Sequence, residues 1–193
     1  MERTGGTFDG GKGNLCANCH QIRNELPVAV EGNIDLGTDT RFGTHYGVEA
    51  AMLLGEGGLG VSGSLSEHYE VVEDTCVACH MGEERNHTYA PDVERCVACH
   101  EDAENFDING VQTEIGAMLE EVKALLIGSG IMAADYTDDA GELQQGRSIP
   151  GVYPEAVAAA MWNYKLVVYD QSMGVHNSAY TKALLQQALD ALR

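Results

Sequence analysis

All six cysteines of this chain fall in three copies of a single pentapeptide. The copies are Cys16-Ala-Asn-Cys19-His20, Cys76-Val-Ala-Cys79-His80 and Cys96-Val-Ala-Cys99-His100. This spacing dictates chemistry before it dictates a fold. Two thiols three residues apart can reach the two vinyl groups on one edge of a porphyrin. The histidine that follows places an imidazole under the iron, which is the pattern of covalent c-type haem attachment. Three copies that use every cysteine predict three haems c. They would be attached through Cys16, Cys19, Cys76, Cys79, Cys96 and Cys99, with His20, His80 and His100 as proximal iron ligands. The competing readings leave residues unexplained. A disulfide scaffold gives no reason for a histidine after each pair. A Cys₄ zinc site from Cys76, Cys79, Cys96 and Cys99 has suitable spacing but orphans Cys16 and Cys19.

Four histidines remain: His45, His68, His87 and His176. Three haems with an imidazole on each face need three of them, leaving one over. His45 precedes an amphipathic run with Ala50, Ala51, Leu53 and Leu54, which reads as a helix start. His87 lies between the second and third motifs. His176 directly precedes the last helix, where Asn177 is the expected N-cap and Gly174 would let backbone approach a porphyrin face. These three rank first as distal ligands. His68, set among acids in SLSEHYEVVED, ranks fourth. Met52, Met118, Met132, Met161 and Met173 lie mostly in apolar periodic stretches and read as core, not as thioether ligands.

The 30 acidic and 11 basic residues give a net charge of -19, which argues against binding nucleic acid or anionic membranes. Acids near the motifs, namely Glu73, Asp74, Glu83, Glu84, Glu101, Asp102 and Glu104, should favour the ferric charge and lower reduction potentials. No apolar run approaches the roughly 20 residues of a membrane span. The first residues lack a signal peptide's apolar stretch. Covalent haem attachment takes place outside the cytoplasmic membrane, so the expected location is periplasmic or extracellular with a leader removed.

The fold class expected is mainly α with extensive irregular structure. One domain would be organised around stacked haems, haem-rich over 1–108 and helical over 109–193. With 23 glycines and modest apolar content, the porphyrins should supply part of the core and couple folding to haem binding. A helix is expected over 45–55, ended by a glycine cluster. Another starts at an Asn109 N-cap and carries Val111, Ile115, Met118, Leu119, Val122, Leu125 and Leu126. A long loop over 129–153 leads to a helix with Pro154 in its first turn. The last helix spans about 178–192, with Leu184, Leu185, Ala188, Leu189 and Leu192 on one face.

The segments HYGVEAAMLLGEGG, CVACHMGEERNHTYAPDVERCVACH, FDINGVQTEI and MWNYKLVVYDQSMGVHNSAYTKALLQQAL resemble stretches of multihaem c-type cytochromes used for periplasmic and extracellular electron transfer in anaerobes. The resemblance implies an electron carrier, not an enzyme, with redox proteins or an extracellular acceptor as partners. It also places His45, His87 and His176 at distal-ligand positions. Some relatives are larger, so this chain could be a trihaem protein or part of a longer one. Some polymerise into filaments in which one subunit donates a histidine to its neighbour, and the surplus histidine would allow that here. The rival is a reductase of nitrite or hydroxylamine with one open iron. All three motifs here end in histidine, with no lysine variant of the kind such reductases often carry.

Overall fold

The computed structural model describes residues 1–82 and 86–193. Its elements run α1 (Asn14–Ala17), β1 (Asn33–Asp35), α2 (Glu49–Leu54), α3 (Glu67–Val71), α4 (Cys76–His80), α5 (Val111–Gly128), β2 (Tyr136–Thr137), β3 (Leu143–Gln144), β4 (Val152–Pro154), α6 (Glu155–Asp170) and α7 (Ser178–Leu192). The long helices gather at the C-terminal end, and much of the first 110 residues is irregular. No helix among the described residues is long and apolar enough to cross a membrane.

Helix ends follow local chemistry. Asn177 caps α7 by accepting the Tyr180 N–H at 3.1 Å. Its amide group also donates to the carbonyls of Met52 and Ser64, which ties the start of α7 to the end of α2. The helix after His45 begins only at Glu49, and Gly55 closes it in the left-handed conformation at φ 71°. Two expectations need correction. Asn109 does not cap α5: Asn109 and Gly110 both turn left-handed, and the Asp107 carboxylate instead takes the Thr113 N–H. Pro154 stands as the N-cap of α6, before its first turn, at ψ 139°.

The stretch over 129–153 is also more than a loop. It holds the β2–β3 ribbon and β4, which pairs antiparallel with β1 in the register Asn33↔Pro154, Ile34↔Tyr153 and Asp35↔Val152. Strands of two or three residues are too short to show a period-2 pattern in the sequence.

The protein builds a larger core of its own than its composition suggests. α6 packs on α7, and α5 on both. Between them lie Ile115, Val122, Leu126, Met161, Trp162, Leu166, Leu184, Leu185 and Ala188. The N-terminal half adds Ile22, Ile34, Leu36, Phe42, Val48, Ala51 and Met52. Trp162 meets Phe42 edge to face at 5.7 Å and donates its indole N–H to the Gly57 carbonyl. Asn163, fully buried, bonds the Leu59 N–H and C=O with its own amide, so its polar atoms are satisfied. By contrast, no described residue from 76 to 110 is buried. That segment lacks an apolar anchor of its own.

Gly174, expected beside a porphyrin, has φ 92°, and a Cβ there would sit 3.2 Å from Ile115 and 3.3 Å from Val111. Its smallness serves the seat of the α6–α7 loop on α5.

Removing Trp162 should therefore cost about 3–5 kcal/mol. The W162A variant should show this as a lowered denaturant midpoint. Lys165 makes a second prediction. It is buried with its ammonium over the Tyr169 ring. Burial first, then the nearby Arg147 charge, push its pKa from the ordinary 10.5 to about 8. The unfolded chain thus binds more protons between those values, and stability rises as pH climbs from about 8 towards 10.5, by at most about 3 kcal/mol. Burial also raises Tyr164 and Tyr180 to about 12, so stability falls again once pH passes the ordinary tyrosine value of 10. In urea titrations across this range, a K165M variant should lose the rise and keep the fall.

Candidate metal centres

Each pentapeptide closes one helical turn. In the first motif the Cys19 and His20 N–H groups both donate to the Cys16 carbonyl; in the third, those of Cys99 and His100 donate to the Cys96 carbonyl. The second motif is α4 itself. Positions i, i+3 and i+4 of a helical turn share one face, so both thiols and the imidazole of each motif lie on the same side. The three copies repeat one pattern of exposure. The first cysteine (Cys16, Cys76, Cys96) is half-buried and the second (Cys19, Cys79, Cys99) is exposed.

The motifs adjoin in a row. The Cys16 side chain lies within hydrogen-bonding reach of Cys76, and Cys96 is close enough to Cys79 to act on its charge. Burial, reinforced by these neighbours, raises the thiols of Cys76 and Cys79; burial and Asp92 raise that of Cys96. Motif two thus stands between motifs one and three. An open cleft of about 690 Å³ lies beside Cys79, lined also by Met81, Gly82, Pro91 and Phe106.

Four histidines are held at Nδ1. His20 Nδ1 meets Glu49 Oε2 at 2.8 Å, and His80 Nδ1 meets the Tyr89 carbonyl at 2.9 Å. His68 Nδ1 meets the Val175 carbonyl at 2.8 Å, and His176 Nδ1 meets Asp170 Oδ1 at 2.7 Å. Carbonyls and carboxylates only accept, so each of these Nδ1 atoms carries a proton, and in the neutral ring the lone pair is left on Nε2. This is the tautomer a metal-bound imidazole needs. Burial opposes protonation of His176, but the charge and hydrogen bond of Asp170 outweigh it and hold the imidazole above its ordinary value.

Two ring pairs follow. His68 faces His100 with centroids 6.2 Å apart and planes at 82°. His80 faces His176 at 6.3 Å and 40°. A nitrogen about 2.0 Å from a first-row metal, in a ring whose centre lies about 1.1 Å further on, puts two trans imidazoles roughly 6.2 Å apart. Both pairs match that spacing. Each also joins a motif histidine to one from outside the motifs. Among the described residues no three His, Cys, Asp or Glu side chains converge as a closed zinc site requires. The donor set of two same-face thiols, one imidazole and an opposed imidazole fits haem c.

The remaining two histidines lie elsewhere. His45 packs on Tyr46 and has φ 68°, and His87 packs on Tyr89. His20 stands outside the two His–His pairs. Of the acids expected to act on the haems, Glu83 and Glu84 lie outside the described residues. Asp74 pairs with Lys12. The residues that act on the histidines most directly, Glu49, Asp170 and Ser172, have no motif. A carboxylate or hydroxyl near a histidine in space leaves no mark in a sequence unless the fold is known.

No family model matches the chain. It is 28% identical over 149 aligned positions to the C-type polyheme cytochrome OmcB of Geobacter sulfurreducens, in two strains (DL-1/KN400 and PCA). The match covers 60% of this chain and 20% of OmcB, so the chain spans about a fifth of the length of these relatives. Among solved structures, the outer cell wall cytochrome OcwA shares the fold, with a TM-score of 0.60 and 24% identity over 95% of this chain and 35% of OcwA.

Because the described residues of 76–110 have no buried anchor, the order of this segment would depend on a cofactor held by the cysteines, while the long helices keep their own. In hydrogen–deuterium exchange, a variant with alanine at all six cysteines should lose protection over this segment and retain it in α6 and α7. Equal protection in both forms would contradict this.

Proposed function

We propose that this chain, a distant relative of the multihaem c-type cytochromes, holds three haems c and carries single electrons along them outside the cytoplasmic membrane. The observation that carries the reading is the pair of His–His contacts at 6.2 and 6.3 Å, each opposing a motif histidine to a second imidazole. When bound, the haems would supply irons that cycle between ferric and ferrous states with both axial positions filled, which suits electron transfer over substrate binding.

The chain's own residues fix the ligands. Cys16 and Cys19, Cys76 and Cys79, and Cys96 and Cys99 attach the three porphyrins. His20, His80 and His100 take the proximal positions. His176 serves opposite His80, and His68 opposite His100. His68 had the weakest sequence context, yet its Nδ1 is held by the Val175 carbonyl and its ring lies 6.2 Å from that of His100. His45 and His87 are the imidazoles left for the iron on His20. The nearness of Cys16 to Cys76 and of Cys96 to Cys79 supports three haems in one row, with the His80 haem in the middle. The acidic surface disfavours anionic partners and suits basic redox proteins.

A second reading has one observation in its favour: His20 stands outside the two pairs. If its iron has an open face, that haem would take a small ligand such as nitrite or hydroxylamine.

Intact mass and a pyridine haemochrome count should give three haems per chain. H68A and H176A should each convert one haem from low to high spin in the ferric EPR spectrum. A spectrum unchanged in both would overturn the ligand assignment. Carbon monoxide binding to the native reduced protein would favour the second reading.

A further inference from the structure

We propose that Asp170 sets the reduction potential of the iron held between His80 and His176 and makes it the lowest of the three. This rests on the haem reading above and adds a positioning residue that touches no haem. The two His–His pairs have nearly the same centroid spacing and differ in what their Nδ1 protons meet. In the His68–His100 pair, His68 donates to the Val175 carbonyl, a neutral acceptor. In the His80–His176 pair, His80 also donates to a carbonyl, that of Tyr89, but His176 donates to a carboxylate. That carboxylate is only 1% exposed.

The carboxylate is locked in place. Its second oxygen accepts the Ser172 hydroxyl, and the Ser172 oxygen in turn accepts the His176 backbone N–H at 3.2 Å. Gln112 from α5 donates to the Ser172 carbonyl. Left-handed Gln171, Met173 and Gly174 fold the loop over 171–177 tightly enough to bring Asp170 and His176 together. An imidazole donating to a full negative charge gains imidazolate character, binds ferric iron more strongly than ferrous, and lowers the potential. Burial keeps water from screening the charge.

The His20 imidazole has its own carboxylate in Glu49, but here the ring is 57% exposed and the carboxylate 22%, so solvent weakens the effect. The Glu49 charge also acts on His176 in the same direction as Asp170. If the haems follow the order of their motifs, the His80 haem would stand between the other two, and an electron crossing the row would pass the site that Asp170 makes hardest to reduce. The reaction concerned is addition of one electron to ferric iron, with the proton staying on His176 Nδ1.

The test is spectroelectrochemistry of the three-haem protein, with the electron supplied by the electrode, alongside ferric EPR. The two ring angles separate the signals, since near-perpendicular imidazoles give the larger maximum g. D170N keeps the acceptor's shape and removes its charge. It should raise the midpoint of the 40° haem alone, by about tenfold in the reduced-to-oxidised ratio at fixed potential, or about 59 mV. S172A keeps the charge and removes its second hydrogen bond, so it should lower the same midpoint. A merely structural role would move both variants alike, and that outcome, or three-haem D170N with unchanged midpoints, overturns the proposal. If D170N fails to load three haems, S172A decides: a lowered midpoint supports the proposal, and an unchanged or raised one overturns it. Fewer than three haems in the native protein would instead defeat the haem reading itself.

Discussion

An imidazole binds metal usefully only when one nitrogen is protonated and pinned and the other is free and aimed. In this chain that condition organises much of the architecture. Four histidines have Nδ1 fixed by an acceptor drawn from a different part of the fold: Glu49 on α2, the Tyr89 carbonyl, the Val175 carbonyl, and Asp170 at the end of α6. The end of α6 and the loop that follows it supply two of these acceptors and one of the histidines. The long helices therefore do more than fill a core. They hold the loop that faces two of the three motifs, and Asn177 fixes that loop to the end of α2 at its other side.

This division of labour explains why the molecule has two kinds of interior. Around α5, α6 and α7 the apolar side chains pack against one another, with Trp162, Tyr180 and Asn163 placing their polar atoms on loop backbone at Gly57, Gly58 and Leu59. Across the second and third motifs, no described residue from 76 to 110 is buried by protein alone. Large apolar plates attached at the six cysteines would complete that second interior, as burial of their faces removes apolar surface from water. A chain with this much glycine could stay open there if a bound cofactor closed it.

The helical turn that puts the thiols and imidazole of each motif on one face was legible from spacing, because CxxCH leaves the backbone little freedom. The last helix was legible down to its cap, since Asn177 and the leucine stripe are local features. Which histidine opposes which was not. His68 sits among acids, as an idle surface residue would, and only the fold brings its ring to 6.2 Å from His100, a residue 32 positions later. Asn109 misled for a related reason. Asn favours both N-caps and left-handed turns, and the following Gly110 tips the balance to the turn. β4 escaped notice because its pairing depends on β1, more than a hundred residues earlier.

The central claim is that opposed histidines fill both faces of at least two irons. Near-infrared magnetic circular dichroism of the ferric protein reads axial ligand pairs directly, because bis-histidine and histidine–methionine irons absorb at different energies. The account predicts a bis-histidine band whose intensity corresponds to two or more haems per chain. Bands dominated by histidine–methionine or high-spin iron would contradict it.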